Sequence, residues 1–450
     1  MNKRVIHARK KDQLISNKQY LSLSFPLIIA GISTPLLGAV DTAVVGRLSD
    51  AAAIGGVAIG AVIFNTMYWL FGFLRVSTSG FTAQAFGAKD EDELKAAFIR
   101  PLLIAWLFGI LFVLFQQPIL SASLLVFGGT PAVLENAAMY FSIRIWGAPF
   151  LLTSYVMIGW LMGMGKVKLS LATQIGMNII NIVLDLVFVF LLDMGVQGVA
   201  LATVIGEVFA VALGGWIILR TTKSSLLISK DKLLQSDKFR EMLIVNRDHL
   251  LRTVCLLIMT GIFTASGARM GEEALAANAI LLQIHYMIAY LIGGFANASS
   301  IFIGKAIGKG NRLEYIRTLQ LSAKWGILSA GVLALMMLLF GKAIVPLFTD
   351  LIGIQQTTES YLFWMIIYPL TGFVGLMLEG IFSGATTISP VRNTIFLALL
   401  FYLVAIWLLP PIYHNHGVWF AFILFSLCRS VFLALYVPKL TSKSFPISSY

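Results

Sequence analysis

Charge is scarce in this chain. Only 12% of its 450 residues are Asp, Glu, Lys or Arg, about half the share usual in soluble proteins. The acids are scarcer than the bases, 21 against 33. So few charges exclude a water-soluble chain of this size. Cysteine is nearly absent as well: Cys255 and Cys428 both fall inside apolar runs, so they read as buried free thiols and not as a disulfide framework. The motifs that mark common chemistries are missing too. There is no GxxxxGK[ST] phosphate loop, no HExxH, no GxSxG and no CxxC, which argues against nucleotide hydrolysis, a resident metal, a cofactor or an enzyme of any kind. The polar start MNKRVIHARKKDQLISNKQY lacks the short apolar core and small-residue cleavage site of a secretory signal.

What is present is apolar. Hydrophobic residues make up 58% of the chain and the mean hydropathy is +0.87. A membrane-spanning helix needs about 20 such residues, and runs of that kind centre near residues 34, 64, 108, 149, 180, 208, 258, 288, 328, 370, 401 and 428. The expected fold is therefore all-α integral membrane, with twelve transmembrane helices and little left for a soluble domain. With the N-terminus inside, the cytoplasmic segments hold 27 of the 33 Lys and Arg residues. That bias places both termini in the cytoplasm. It also explains the net charge of +12 as a topology signal, with no nucleic-acid partner.

The chain repeats itself at an offset of 221 residues: QAFGAKDEDELKAAFIR from Gln84 resembles KAIGKGNRLEYIRTLQ from Lys305, and Gly163 pairs with Gly384. Six spans per repeat is an even number, so two pseudo-symmetric six-helix lobes are expected around a central cavity. The organisation that follows is a cytoplasmic segment 1–20, an N-lobe 21–220, a basic linker 221–246, a C-lobe 247–440 and a tail 441–450. Two cavity-flanking repeats with intramembrane acids point to alternating access, and a two-lobed cavity needs only a monomer.

Asp41 is the first such acid, the one charged residue between Ser24 and Gly46. A carboxylate at membrane depth costs roughly 3 kcal/mol or more and marks ion or proton work. Asp185 is the second. Counting helix rise from the nearest external loops, Asp41, Asp185 and Thr203 all lie roughly 9–12 Å below the external surface. Asn181 and Asp185 are i and i+4, with Asn178 one turn further back, so the three share a helix face. Two neighbouring carboxylates resist simultaneous ionisation, which makes a proton switch, although the same oxygens suit sodium. Asn181 and Thr203 have the alternative role of polar contacts between helices. Glu207, one turn after Thr203, either joins this pocket or pairs with a buried arginine, Arg144 or Arg75. Glu379 stands in the tenth span as a second ion or drug-contact site in the C-lobe, or as a packing residue. Pro26 and Pro35 each remove a backbone hydrogen bond from the first span, giving a static kink or a conformational hinge.

These residues carry a resemblance. PLLGAVDTAVVGRL (35–48), FLRVSTSGFTAQAFGAKD (73–90), NIINIVLDLVF (178–188), GVQGVALATVIGE (195–207) and VNRDHLLR (245–252) are similar to the DinF branch of the MATE (multidrug and toxic compound extrusion) transporters, from about Leu21 to Leu440. The resemblance implies a twelve-helix transporter of a bacterial inner membrane, exporting cationic or amphipathic drugs and toxic amphiphiles in exchange for H+ or Na+. It implies that Asp41 is the coupling aspartate, Pro26 the bending proline, Asn181, Asp185 and Thr203 the associated network, and Glu379 an acidic position in the tenth span. Some relatives carry LDGFA in the eighth span where this chain reads Ile292-Gly293-Gly294-Phe295-Ala296, which shifts the expectation from a C-lobe cation site to protons in the N-lobe. The function expected is proton-coupled multidrug antiport with Asp41 as the switch. The alternatives are a sodium-coupled antiporter and a lipid or lipid-linked sugar flippase of the same superfamily.

Overall fold

A computed structural model describes residues 14–46, 50–222, 228–233 and 235–446, and of residues 34–43, 230, 231 and 236 it describes the backbone alone. Twelve long helices carry the chain: α1 (Asn17–Val45), then α2 (Ala51–Ala88), α3 (Glu91–Leu114), α4 (Pro131–Gly163), α5 (Val167–Leu191), α6 (Gly195–Thr221), α7 (Asp237–Ala268), α8 (Glu272–Gly308), α9 (Arg312–Leu347), α10 (Ile352–Gly384), α11 (Ser389–Leu408) and α12 (Pro410–Ser444). Each of the last eleven is long and apolar enough to cross a bilayer, and α1, at 29 residues, makes the twelfth. Every run expected from hydropathy is one of these helices. An unpaired backbone group in lipid costs several kcal/mol, so a chain this apolar satisfies its amides within helices.

The chain divides into two compact units, residues 29–243 and residues 1–28 with 244–450. The first contains α2–α6, the later part of α1 and the opening residues of α7; the second contains residues 17–28 of α1, α7 from residue 244 onward and α8–α12. Pro26 and Pro35 both lie inside α1, which is helical through each of them.

Within each unit the same frame recurs at the 221-residue offset. In the first, a Cβ on Gly159 would strike the carbonyl oxygen of Arg75, and one on Gly163 would come within 2.6 Å of the carbonyl oxygen of Ser79. In the second, Gly380 faces the carbonyl oxygen of Ala296 and Gly384 that of Ser300. Glycine is required at these four places because backbone packs on backbone there, as small residues allow between membrane helices. The ends repeat as well. Asp90 caps α3 by accepting from the Glu93 amide, and Asn311 caps α9 by accepting from Leu313 and Glu314. Lys89 and Gly310, just before them, both take the left-handed conformation, φ 58° and 63°.

Breaks inside helices have local causes. Gly72 interrupts α2, its amide turning back to the carbonyl oxygen of Trp69. In α10, Pro369 lies within the helix, and beyond it the Ser430 hydroxyl accepts from the Gly375 amide and donates to the Thr371 carbonyl oxygen. Those two backbone groups are i and i−4, so a side chain of α12 is inserted into the ladder of α10.

Part of the segment expected as a linker is ordered against α3. Arg100 donates to the carbonyl oxygens of Lys232 (2.8 Å) and Leu233 (3.0 Å) at the end of a short helix, Lys230–Leu233. It also donates to Glu93, which takes a second bond from Lys238 at 2.9 Å. Lys232 pairs with Asp92, and this partner raises the lysine ammonium above its usual range. Residues 236–246 of the expected linker are the opening turns of the helix Ser236–Ala268.

Candidate functional site

The buried face of α5 is polar. Ser170, Gln174, Asn178, Asn181 and Asp185 recur every three or four residues and all are buried, while Ile179, Val183 and Leu186 on other faces are exposed. In lipid that pattern is the expected one: apolar side chains face outward and polar ones face protein. Gln174 donates to the Ala30 carbonyl oxygen of α1 at 3.2 Å. Asn181 donates to the Thr203 hydroxyl of α6 at 3.3 Å, and Thr203 donates in turn to its own helix at Val199. Gly206, one turn on, lets α6 approach, since a Cβ there would already lie 3.3 Å from the Asn181 Cβ and from the Met177 carbonyl oxygen. Asn181 Oδ1 is buried and has no hydrogen-bond donor among the described residues. Asn181 and Thr203 therefore meet between α5 and α6, and Asn178 and Asp185 share the buried face of α5 with Asn181. The side chains of Asp41 and Pro35 lie outside the described residues.

Glu207 is placed elsewhere, although it follows Thr203 by one turn. Its carboxylate faces Arg144 of α4 at 3.8 Å, and Gly147 leaves the space it occupies. The guanidinium donates to the Tyr140 hydroxyl at 2.6 Å and lies 4.9 Å from the Phe64 ring centroid, with Tyr68 and Tyr140 at 5.8 Å. Ring faces and one carboxylate together offset part of the cost of burying this cation. Of the two roles open to Glu207, the geometry is that of the arginine partner. Arg75, the other candidate, makes no ion pair among the described residues.

Glu379 of α10 is flanked by two guanidiniums: Arg252 of α7 on one carboxylate oxygen and Arg429 of α12 on the other. Nearby, Asp248 is held by Arg392 (2.7 Å), Arg247 (2.9 Å) and the Ser389 hydroxyl (2.8 Å). His285 stacks edge-on against Tyr368 and Phe422. Arg252 is the residue that sequence reasoning misses. Its place at the edge of a basic stretch counts it among cytoplasmic charges, and only the packing of α7 on α10 reveals its partner. Gln174 is missed for a different reason, having no charge to flag it. Its position one turn before Asn178 is the signal that finds it.

No cluster of three or more His, Cys, Asp or Glu suited to a metal is present among the described residues. What the first unit offers is a buried polar face on α5 with one acceptor, Asn181 Oδ1, lacking a hydrogen-bond donor among the described residues.

Comparison with known proteins gives a consistent result. The MatE family model matches residues 26–187 and again 250–408. DNA damage-inducible protein F of Escherichia coli (strain K12) is 37% identical over 421 residues, 93% of this chain and 91% of that protein. Multidrug export protein MepA of Staphylococcus aureus (strain N315) is 21% identical over 91% of each chain. Among solved structures, a MOP superfamily transporter from Pyrococcus furiosus Vc1 (DSM3638) superposes with a TM-score of 0.85 at 20% identity, covering 96% of this chain and 97% of that one. A MATE crystal structure in the bent conformation gives 0.85 over 95% and 97%.

Proposed function

We propose, from the premise that this chain belongs to the MatE family of membrane transport proteins, that it is a proton-coupled multidrug antiporter working by alternating access. Export of drugs is carried over from the Staphylococcus aureus relative, whose name states it; cationic and amphipathic organic compounds are the class we assign here. The site is the N-lobe pocket, with Asp41 as the protonation switch and Asp185, Asn181, Thr203 and Asn178 around it. The monomer sits in the inner, cytoplasmic membrane of a bacterium with both termini cytoplasmic.

One observation carries the choice of a proton. Asn181 Oδ1 is a buried acceptor with no donor among the described residues, and leaving such a group unmade costs about 1–3 kcal/mol. A carboxylic acid one turn away supplies the missing donor only when protonated. Uptake from outside therefore favours a tighter arrangement of α1, α5 and α6, with α1 bending near Pro26, and substrate leaves as the proton binds. Release of the proton inside reopens the pocket. Coupling requires only that drug and proton favour different states.

Sodium is the second reading, because the same acceptor oxygen, the Thr203 hydroxyl and a carboxylate form a hard-oxygen set. Proteoliposomes loaded with a fluorescent organic cation separate the two. Efflux driven by an imposed pH gradient at zero sodium, and lost in Asp41→Asn, is the expected result. Efflux driven by a sodium gradient alone replaces the proton with sodium, and no efflux under either gradient refutes the antiporter.

A further inference from the structure

The second unit holds an imbalance that the N-lobe mechanism does not use. Glu379 is the sole carboxylate paired with Arg252 and with Arg429 among the described residues, so two cations share one anion on three apolar spans. The charge is surplus by one. The Nε atoms of both arginines and Nε2 of the neighbouring His249 are buried with no hydrogen-bond partner among the described residues. The second acid in the neighbourhood, Asp248, does not relieve this, because Arg247 and Arg392 already hold it. His249, His285 and Tyr368 lie within electrostatic reach of the cluster, and none of them adds negative charge near neutral pH.

The arrangement is also held in place. Ser430, adjacent to Arg429, bridges two backbone groups of α10, and Gly375 lets α12 approach, a Cβ there reaching 3.4 Å from the Arg429 side chain. The three charged side chains keep between 11% and 18% of their exposure, so the cluster is not fully sealed.

An uncompensated guanidinium at membrane depth is costly unless an anion completes it, and the planar fork of arginine matches carboxylate, sulfonate and phosphate oxyanions. We infer that Arg252 and Arg429, with Glu379 as the internal counter-charge, form an oxyanion subsite in the C-lobe for the acidic head of an amphiphile. A carboxylate already held by two guanidiniums is a poor cation ligand, so the subsite selects the opposite charge from the N-lobe pocket. The occupant is a phosphate-like head, carried either by a transported amphiphile or by an anionic lipid. The inference is independent of proton coupling, because it concerns equilibrium binding with no gradient.

The test uses the full-length protein in phosphatidylcholine nanodiscs, titrated with dodecyl phosphate and with dodecyltrimethylammonium as the matched cationic probe. Arg429→Gln and Arg252→Gln each leave one ion pair intact and are expected to weaken dodecyl phosphate binding about tenfold. Glu379→Gln raises the local charge and is expected to tighten it severalfold. The cationic probe is expected to change less than twofold in all three. A purely structural triad predicts no such opposition of sign: unchanged or weaker dodecyl phosphate binding in Glu379→Gln overturns the subsite, even where an arginine variant fails to fold. Native mass spectrometry from nanodiscs containing phosphatidylglycerol distinguishes the sources. Retention of that lipid by wild type and its loss in Arg429→Gln identify a lipid headgroup. No retained lipid, with dodecyl phosphate binding intact, identifies a free amphiphile.

Discussion

In the first half of the molecule one face of α5 buries Gln174, Asn178, Asn181 and Asp185. At the same positions of α11, 221 residues later, the second half has Ile395, Leu399, Tyr402 and Ile406. The converse also holds. Arg252, Glu379 and Arg429 correspond to Gly31, Ile158 and Val208. Against this, the frame is kept: the glycines that admit a neighbouring backbone, the capping Asp90 and Asn311, and the left-handed turns at Lys89 and Gly310 occur in both halves. Glu93 and Glu314 match across the offset as well. Two copies of one scaffold have thus been given opposite polar interiors. The lesson is that packing geometry constrains both halves equally, while a buried charge is affordable only where a local set of partners exists for it.

Four sets of variants test the comparison. The largest effect on transport is expected from Asp185→Asn, which should lower gradient-driven export by at least about 100-fold, equivalent to ~2.7 kcal/mol. Its counterpart change, Ile406→Val, should leave the export rate within about twofold, since Ile-to-Val changes cost about 1 kcal/mol at most sites. Comparable loss in both would mean that the halves share the coupling role. The largest effect on stability is expected from Glu207→Ala, which strands Arg144 among aromatic rings and should cost about 3–5 kcal/mol, read as a fall in melting temperature in detergent. The corresponding Cys428→Ala should cost about 1 kcal/mol or less.

Gly163→Val and Gly384→Val test the shared frame and not the contrast. Each forces a side chain against a carbonyl oxygen, for about 2–3 kcal/mol, and thermal unfolding should show the two penalties within about 1 kcal/mol of each other. A large difference would mean that the two backbone contacts are not equivalent. The smallest effect is expected from Ser430→Ala. It removes one bridge between α12 and α10 at about 1 kcal/mol, and should leave N-lobe coupling unchanged.

Much of this architecture is legible in the amino-acid order, because hydropathy, capping and helix periodicity are local properties. The twelve spans follow from run length, and the repeat follows from matched segments such as those beginning at Gln84 and Lys305. The meeting of Asn181 with Thr203 follows from depth alone, since both helices turn back from the same short loop. Ion partners are a different matter. Glu207 and Thr203 are one turn apart, yet helix geometry at Gly147 sends the carboxylate toward Arg144. Arg252 lies at the edge of a basic stretch in the sequence, and only tertiary packing delivers it to Glu379. The role of Arg100, binding the carbonyl ends of the Lys230–Leu233 helix, depends on the path of the linker, which periodicity does not encode.

The central claim is that proton coupling belongs to the first half alone. Proton release on binding tetraphenylphosphonium, measured in weakly buffered detergent solution, tests it most directly. Wild type and Glu379→Gln are expected to release the same number of protons per cation bound, and Asp41→Asn and Asp185→Asn to release none while retaining binding. Release that survives in both aspartate variants and disappears in Glu379→Gln would contradict the account and move the coupling site to the second half.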